Sequence, residues 1–188
     1  MAKPALLIID MQNDFVQEGR PLGLAGARAA VPNIRAVLAA FRKRSLPVFH
    51  IMRVHRADGS DVEITRRDRF AKTPYAVEGT EGAAVITDLA PLKGEYLLPK
   101  VRMSAFIGTE LDLILRTLGI TSLFVCGIQT PNCIRATAFD AIAYNYPVVL
   151  VEDATGASSE EVHRCNIRDM QNIGIRVVRT DEVPGLLG

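Results

Sequence analysis

Short apolar runs that alternate with helical patterns constrain the fold of this chain more than any other feature. Five runs rich in Val, Ile, Leu and Phe occupy residues 5–9, 48–52, 123–128, 148–151 and 175–178, and a weaker run lies near residues 96–98. These runs are continuously apolar rather than alternating with polar residues, which is typical of strands covered on both faces. The pattern therefore predicts an α/β fold built on a parallel sheet.

Helix start and stop signals fill the spaces between these runs. They predict helices over residues 32–44, 109–119, 131–143 and 158–174. Pro32 and Pro131 suit the first turn of a helix, where a missing N–H costs no intrahelical hydrogen bond. Thr109 is a capping residue, and Ser158 with Glu161 matches a capping box. The succession of strand, helix and strand predicts a doubly wound α/β domain with right-handed crossovers.

Composition indicates one globular domain and excludes several classes of partner. The chain has 188 residues, 48% of them hydrophobic, so we expect a single domain over residues 1–188, in which the polar, Arg-rich residues 53–94 form an extended loop arm. Lys and Arg number 22 against 21 Asp and Glu, and a net charge of +1 gives no electrostatic basis for binding nucleic acid or an anionic membrane. No apolar run approaches the length of a membrane span.

The cysteine content and the start of the sequence bear on location. Three cysteines do not make a disulfide framework in a chain of this size, and the first residues show no signal-peptide layout. A reducing compartment suits such a chain. We therefore expect a cytoplasmic protein.

Three reactive side chains stand at the ends of three predicted strands. Asp10 ends the first apolar run in LLIIDMQNDF, Lys100 follows the weak strand in YLLPKVRMSAF, and Cys133 follows the LFVCGI strand in the first turn of the next predicted helix. The carboxyl ends of parallel strands share one edge of the sheet, where ligands of such folds bind. We therefore expect these three side chains to lie together.

A carboxylate, an ammonium and a thiol suit nucleophilic catalysis. A thiol attacks as its thiolate, which a nearby cation or a helix N-terminus favours. Asp10 can take the thiol proton and return it to a leaving amine, while Cys133 forms an acyl-enzyme that water hydrolyses. Backbone donors in the turn at residues 128–130 can hold the oxyanion. Each residue also has an ordinary alternative: a turn cap for Asp10, a solvated surface for Lys100 and core packing for Cys133.

Three motifs in order resemble the isochorismatase-like cysteine hydrolases over nearly the whole chain. LLIIDMQNDFV resembles the first-strand motif of that family, LLPKVRMSAFIGTELDLILRTLGI its lysine motif, and LFVCGIQTPNCIRATAFDAIAYNYPVVLVEDAT its nucleophile motif with the following strand. The resemblance implies a three-layer α/β fold, with a six-stranded parallel sheet of Rossmann-like order and helices on both faces. It also implies a homo-oligomer, dimer or tetramer, that acts on a small molecule.

The resemblance implies a role for each matching residue. Asp10 would be the general acid and base, Lys100 the cation that stabilises the thiolate, and Cys133 the nucleophile. The family has a cis peptide just before the nucleophile turn, which falls at Ile128–Gln129 here. The N–H groups of Gln129 and Cys133 would then point at the oxyanion.

Residues outside these motifs distinguish the branches of the family. Nicotinamidases hold a divalent metal with an Asp-x-His and further histidines, whereas in HIMRVHRADGSD Arg53 stands in place of the aspartate and only His55 remains. One histidine with Asp58 or Asp61 nearby is a weak metal site, because first-row metals want three or more ligands, so we expect neither a metal nor another cofactor. Isochorismatases proper, which cleave a vinyl ether, can dispense with the cysteine, so the presence of Cys133 favours C–N hydrolysis.

The expected function is hydrolysis of a C–N bond in a small amide, ureide or carbamoyl compound. Arg53, Arg56 and Arg102 are candidates to bind a substrate carboxylate, since a guanidinium suits bidentate contact, although surface or subunit salt bridges would also explain them. Phe15 matches a family position where an aromatic ring packs on the substrate, or is ordinary core. The alternatives are a metal-assisted nicotinamidase, a vinyl-ether hydrolase and a catalytically idle binding domain of the same fold.

Overall fold

Six parallel strands form one sheet in the computed structural model, which describes residues 3–187. The strands are β1 (Pro4–Ile9), β2 (Val48–Arg53), β3 (Tyr96–Lys100), β4 (Ser122–Ile128), β5 (Val148–Gly156) and β6 (Arg176–Val178). Their order is β3-β2-β1-β4-β5-β6, and every neighbouring pair is parallel. The predicted six-stranded sheet of Rossmann-like order is confirmed.

Helices pack on both faces of the sheet and complete the three layers. They are α1 (Asn13–Val16), α2 (Ala25–Lys43), α3 (Arg67–Lys72), α4 (Leu111–Thr117), α5 (Arg135–Ala143), α6 (Glu160–Asn172) and α7 (Val183–Leu186), and a π-helical turn, Thr130–Ile134, leads into α5. Within residues 3–187, no helix has both the length and the apolar character that crossing a membrane requires.

The central strand β1 is buried on both faces, which explains its continuously apolar sequence. Leu6 and Ile8 belong to one hydrophobic cluster, together with the buried residues of α1, α2 and α7. Ala5, Leu7 and Ile9 belong to a second cluster, together with the buried residues of α4, α5 and α6. Burying one such Leu or Ile side chain contributes about 1.5–3 kcal/mol, so both faces of β1 stabilise the fold.

The first long helix begins earlier than the sequence predicts. The proline rule places the start at Pro32, but α2 begins at Ala25 and Pro32 lies inside it. The buried residues Ala27 and Ile34 continue one apolar stripe on both sides of the proline. Packing of this stripe against the sheet outweighs the local cost of an interior proline, because most helix stability in proteins comes from tertiary packing.

Two other predicted helix starts are displaced by one or two residues. The N-cap of α6 is Ser159, whose side chain accepts a hydrogen bond from the Val162 N–H at 3.3 Å, so the capping box predicted at Ser158 is wrong. α4 begins at Leu111, and the Thr109 hydroxyl accepts from the Leu111 N–H at 3.2 Å. Capping chemistry is present in both places, and for α6 the adjacent Ser158 and Ser159 make its position ambiguous in the sequence.

The arm of residues 53–94 is more ordered than the predicted extended loop. Its first residue, Arg53, ends β2, and the arm contains α3 and three 3-10 turns, Ile64–Arg66, Glu81–Ala83 and Thr87–Leu89. Two side chains that follow β1 bind it: Asn13 donates from Nδ2 to the Glu81 carbonyl at 2.8 Å. Asp14 accepts from the Ala76 N–H at 2.8 Å. The arm is therefore fixed beside the carboxyl edge of the sheet.

The direction of the chain across the sheet reverses between β1 and β4. Successive strands run outward from β1 to β3 on one side and from β4 to β6 on the other. In open α/β sheets such a switch point forms a crevice beyond the carboxyl ends of the strands, where ligands bind. Asp10 directly follows β1 and Cys133 follows β4 within the π-helical turn, so the two residues flank this crevice.

Gly127 of β4 lies where β4 approaches β1 closely at the switch point. Its φ is 110°, and a Cβ at this position would collide with the carbonyl oxygen of Ile9. We expect Gly127→Ala to lower the free energy of unfolding by at least about 3 kcal/mol, because backbone strain and overpacking add. Urea unfolding followed by circular dichroism measures the change.

Gly108→Ala is the matched control for this substitution. Gly108 has a φ of 69°, but the space that a Cβ would occupy is open. We expect Gly108→Ala to lower the free energy of unfolding by only about 1–2 kcal/mol, because the left-handed conformation is its one cost. Equal losses in the two variants would contradict the close approach of the strands.

Glu95 anchors the edge strand β3, which carries Lys100. Its carboxylate accepts hydrogen bonds from Arg42 of α2 at 2.7 Å and from the Leu92 N–H at 2.9 Å. It also accepts from Nε2 of His50 of β2 at 2.8 Å. Burial opposes ionisation of Glu95, but the hydrogen bonds from these three groups outweigh it and lower the pKa of Glu95 from 4.5 to about 2.

The acid stability of the protein should reflect this anchor. Because the pKa of Glu95 is depressed in the folded state, its contribution is fully present above pH 4.5 and is lost as the pH falls towards 2. We expect Glu95→Gln to lower the free energy of unfolding by roughly 1–3 kcal/mol at neutral pH, and the difference from wild type to shrink in acid. Urea unfolding across this pH range measures it, with the exposed Glu18→Gln as a control for net charge. A difference independent of pH would contradict the assignment.

Candidate active site

The carboxyl edge of the sheet brings Asp10 and Lys100 into contact. Lys100, the last residue of β3, donates from Nζ to Asp10 Oδ2 at 3.0 Å and to the Arg102 carbonyl at 3.2 Å. Asp10 is 4% exposed and Lys100 is 2% exposed. Because water is largely excluded from both charges, each needs the other for neutralisation.

Cys133 lies in the π-helical turn and faces the same cluster. It is buried, and Arg53 places Nη2 at 3.5 Å from its Sγ. The peptide bond Ile128–Gln129 that leads into the turn is cis, at the position that the resemblance to the cysteine hydrolases implies. The turn is closed by the Gln129 carbonyl, which accepts from the N–H groups of Asn132 at 3.0 Å and Ile134 at 3.2 Å. These contacts orient the sulfur towards the strand ends.

The electrostatic surroundings keep Cys133 protonated at rest. Burial raises the pKa of the Cys133 thiol, and the negative charge of Asp10 raises it further, while Lys100 and Arg53 act in the opposite direction. The sequence suggests a lowered pKa from the helix N-terminus and the lysine, and the structure gives the opposite net direction because burial dominates. The resting site therefore holds a neutral thiol beside the Asp10–Lys100 pair.

Asp10 has one carboxylate oxygen free for proton transfer. Oδ2 is occupied by Lys100, whereas the buried Oδ1 has no hydrogen-bond partner among residues 3–187. A buried acceptor without a partner carries a desolvation cost, which a donor in the site would relieve. The thiol proton of Cys133 and the N–H of a substrate are suitable donors.

Gln12 organises the site without having been singled out in the sequence. Its side chain donates from Nε2 to the carbonyl groups of Arg53 and Ala83, both at 2.7 Å, and accepts from the Arg53 N–H at 2.8 Å. It thus joins β2 to the arm in the way that a neighbouring strand would. Gln12 stands two residues after Asp10, and no local sequence pattern marks its contacts with distant segments.

Thr130 and His163 brace the other side of the π-helical turn. The Thr130 hydroxyl, which is fully buried, lies 3.1 Å from the Gly156 carbonyl and 2.9 Å from His163 Nδ1. The hydroxyl can donate to the carbonyl and accept from the imidazole N–H. His163 of α6 is half-buried and contacts the segment that carries Cys133.

The predicted substrate contacts separate into different environments. Phe15 of α1 is buried in the core and packs edge-on against Tyr75, with 6.1 Å between ring centroids. Arg56 is exposed and pairs with Asp58 at 3.7 Å. Arg102 is exposed and donates to the backbone carbonyl groups of residues 61 and 101. The structure does not bring Arg56 or Arg102 to the buried cluster.

Arg53 is the arginine that enters the cluster. Its side chain is 1% exposed, and Nη1 donates to Glu63 Oε1 at 2.7 Å. Burial alone would lower the pKa of Arg53, but the charges of Asp10, Glu63 and, once it is ionised, Cys133 outweigh burial and raise it, so the guanidinium stays charged. This arginine is already paired and is not available as a free guanidinium at a pocket mouth.

The residues around His55 do not form a metal-binding set. His55 Nδ1 pairs with Asp61 at 3.2 Å, and the ring packs against Phe70 and Tyr75. In the part of the chain from residue 3 to 187, no three His, Cys, Asp or Glu side chains are grouped to hold a metal ion. The guanidinium of Arg53 occupies the position where the nicotinamidase resemblance would place a ligand aspartate. A divalent metal does not fit these residues.

A groove of the described residues lies outside the cluster. It has a volume of about 790 Å³ and lies between α2, the end of β5 and α6, with Asp153, His163 and Arg179 among its lining residues. Asp10, Lys100 and Cys133 do not line it. The buried, charged cluster at the switch point is the better candidate site, because it contains the groups that can react.

Comparison with known proteins assigns the family. A family model described as Isochorismatase domain matches residues 4–182. The chain belongs to the isochorismatase family. A solved structure of an isochorismatase family protein from Desulfovibrio vulgaris is 46% identical, with a TM-score of 0.96, and the match covers 100% of this chain and 99% of that chain.

Two curated relatives of this isochorismatase-family chain differ in what their names say about activity. A protein named as a probable inactive nicotinamidase of Arabidopsis thaliana is 43% identical over 176 residues, which cover 92% of this chain and 90% of that protein. An N-carbamoylsarcosine amidase of an Arthrobacter species is 31% identical over 184 residues, which cover 96% of this chain and 70% of that protein. The family includes hydrolases of C–N bonds, and the resemblance found in the sequence is confirmed.

The buried pair of Asp10 and Lys100 can be tested by its effect on stability. We expect Lys100→Met to lower the free energy of unfolding by about 3–5 kcal/mol, because it leaves a buried carboxylate without its ammonium partner. The double variant Asp10→Asn with Lys100→Met should lose less free energy of unfolding than Lys100→Met alone, because neither charge of the pair remains. Urea unfolding measures both, and Lys93→Met on the exposed surface is the control. A single variant as stable as the double variant would contradict the pairing.

Proposed function

We propose that this chain is a cysteine hydrolase that cleaves a C–N bond of a small amide, ureide or carbamoyl compound through an acyl-thioester intermediate. The observation that carries the proposal is the buried Asp10–Lys100 pair beside the Cys133 sulfur at the switch point of the sheet. The thiol is the nucleophile, the carboxylate its general base, and the ammonium keeps the carboxylate ionised. Membership in the isochorismatase family supports this class of reaction.

Acylation begins with proton transfer from the thiol to the free oxygen of Asp10. The sulfur then attacks the substrate carbonyl, and the N–H groups of Gln129 and Cys133 are proposed to stabilise the oxyanion. Asp10 returns the proton to the leaving nitrogen as the C–N bond breaks, which releases an amine or ammonia. The acyl group remains on the sulfur as a thioester.

Deacylation uses the same groups in reverse. Asp10 takes a proton from water, the resulting hydroxide attacks the thioester carbonyl, and the C–S bond breaks. The sulfur regains the proton from Asp10, so the site returns to a neutral thiol and an ionised carboxylate. Because Asp10 acts as base and acid in each half-reaction, its free oxygen has to lie close to both the sulfur and the leaving group.

A catalytically idle domain is the second candidate. The Arabidopsis relative, which is named a probable inactive nicotinamidase, favours it. The same buried ion pair would then serve stability alone. The nicotinamidase alternative that uses a metal has no support from the donor set described above. Vinyl-ether cleavage, the other alternative, has no requirement for Cys133.

A cytoplasmic location and a homo-oligomeric state are also part of the proposal. All three cysteines, Cys126, Cys133 and Cys165, are free, which suits a reducing compartment. Several large apolar side chains are exposed, among them Ile64, Leu113 and Ile173. Size-exclusion chromatography with light scattering tests the oligomeric state.

The reaction is tested with ammonia release from a panel of amides, ureides and carbamoyl acids. We expect Cys133→Ala to reduce turnover at least about a thousandfold, because loss of the nucleophile removes the covalent route. Cys165→Ala, which removes an exposed thiol on α6, is the matched control and should retain wild-type turnover. Rapid acid quenching followed by mass spectrometry should detect an acyl adduct on the peptide that contains Cys133.

The outcomes separate the candidate functions. Activity in Cys133→Ala equal to wild type would overturn the thioester mechanism and leave vinyl-ether or water-mediated chemistry. Absence of turnover on the whole panel would favour the idle domain. Loss of wild-type activity on chelation, with recovery after addition of zinc, iron or manganese, would support the metal-assisted alternative.

A further inference from the structure

Arg53 contacts the reacting atom of the proposed nucleophile. Its Nη2 lies 3.5 Å from Cys133 Sγ, within hydrogen-bond distance for sulfur. Its Nη1 donates to Glu63 Oε1 at 2.7 Å and lies 3.4 Å from the Val101 carbonyl. The guanidinium thus bridges a carboxylate on one side and the sulfur on the other.

The fold fixes Arg53 at this position through its backbone. Arg53 is the last residue of β2 and is in register with Lys100 of β3, so the two cations leave adjacent strands at the same level. Gln12 binds both the N–H and the carbonyl of Arg53. A guanidinium mounted on a strand and held by the Glu63 carboxylate is pre-organised, which is what electrostatic stabilisation of a developing charge requires.

The charges of the cluster balance around the sulfur. Lys100 and Arg53 supply two positive charges, and Asp10 and Glu63 supply two negative charges. When the proton moves from Cys133 Sγ to Asp10, the S–H bond breaks, an O–H bond forms and the total charge is unchanged. The negative charge then lies on the sulfur, where the guanidinium N–H of Arg53 donates to it directly.

We propose that Arg53 is a second catalytic cation, which stabilises the Cys133 thiolate together with Lys100, and that Glu63 is a positioning residue that holds the guanidinium. The proposal deepens the proposed function and rests on it for the identity of the nucleophile. It replaces the expectation that Arg53 binds a substrate carboxylate, because Nη1 is already engaged by Glu63 and Nη2 by the sulfur.

The electrostatics of both members of the pair agree with this role. The Cys133 thiolate, once formed, raises the pKa of Arg53 against the effect of burial, and Arg53 opposes the rise in the pKa of the Cys133 thiol that burial and Asp10 cause. Burial likewise opposes ionisation of Glu63, but Arg53 outweighs it and lowers the pKa of Glu63. The three groups therefore depend on one another for their charge states.

The rate of Cys133 alkylation by iodoacetamide, measured against pH in the absence of substrate, tests the proposal. Below the pKa of the thiol, this rate follows the fraction of thiolate. We expect Arg53→Met to slow alkylation of Cys133 roughly tenfold or more at a given pH, because a cation in contact with the sulfur is lost. Arg53→Lys should restore part of the rate. The exposed Cys165 in the same chain is the internal control for the activity of the reagent, and its alkylation rate should not change.

Two further variants keep the test independent of folding and of net charge. Arg53→Met leaves Glu63 without its partner, so Arg53→Met combined with Glu63→Gln restores the charge balance and should still show slow alkylation. Arg164→Met removes an exposed arginine of α6 and should leave the rate at the wild-type value. An alkylation profile of the double variant equal to that of wild type would overturn the proposal.

Turnover measurements then distinguish stabilisation of the thiolate by Arg53 from binding of a substrate carboxylate by Arg53. A cation at the sulfur predicts a loss of kcat in Arg53→Met on every substrate that the wild type hydrolyses, charged or neutral. A rise in KM confined to carboxylate-bearing substrates, with kcat unchanged, would contradict the proposal and return Arg53 to substrate binding. If the wild type hydrolyses no substrate of the panel, the proposed function fails, while the alkylation profiles still decide the role of Arg53.

Discussion

Neutralisation of buried charge at the carboxyl edge of the sheet is the constraint on which the candidate site depends. Asp10, Lys100 and Arg53 are each less than a twentieth exposed. An ion in such a place costs several kcal/mol unless it is paired and hydrogen-bonded. The sheet meets this requirement by placing Lys100 and Arg53 at the same level on adjacent strands, with a carboxylate for each. The geometry of the site is therefore a consequence of the pairing.

This charge balance also fits the proposed role of the buried thiol as a nucleophile. A thiolate at rest would add a third negative charge to two carboxylates, and the raised pKa of Cys133 shows that the site disfavours it. Transfer of the proton to Asp10 avoids the problem, because the carboxylate is neutralised as the thiolate forms. In the proposed mechanism the nucleophile is then generated with no net change of charge in the cluster, and two cations remain to stabilise the sulfur. The helix N-terminus alone would not achieve this in a buried site.

Much of the fold follows from the sequence because it depends on local patterns. Five continuously apolar runs and one weaker run identified the six strands, and the parallel order predicted that Asp10, Lys100 and Cys133 share one edge of the sheet. The start of α2 could not be predicted in this way, since packing of the residues before Pro32 overrides the preference of proline for a first turn. The position of the cap of α6 depends on which of two adjacent serines is extended, which the sequence alone does not specify.

The site could be predicted only in part, because its supporting contacts join distant segments. Asp10, Lys100 and Cys133 stand out as reactive residues at strand ends. The roles of Gln12, Glu63, Thr130 and His163 depend on how the arm and α6 fold back, so no local pattern marks them. Arg53 illustrates the difference. Its residue type suggested that it binds a substrate carboxylate, whereas its buried position beside Cys133 favours a role at the sulfur.

The residue at position 53 determines which kind of cation the site needs. An aspartate there would join Asp10 and Glu63 as a third buried carboxylate, and Lys100 could neutralise one of them. The remaining charge would require a divalent cation, as in the metal-dependent nicotinamidases, from which this sequence departs at position 53. An arginine reverses the sign at this position and supplies the missing positive charge as part of the chain. A guanidinium held by Glu63 and a metal ion held by carboxylates and histidines are thus alternative ways to neutralise the carboxylates of the site. This chain uses the guanidinium.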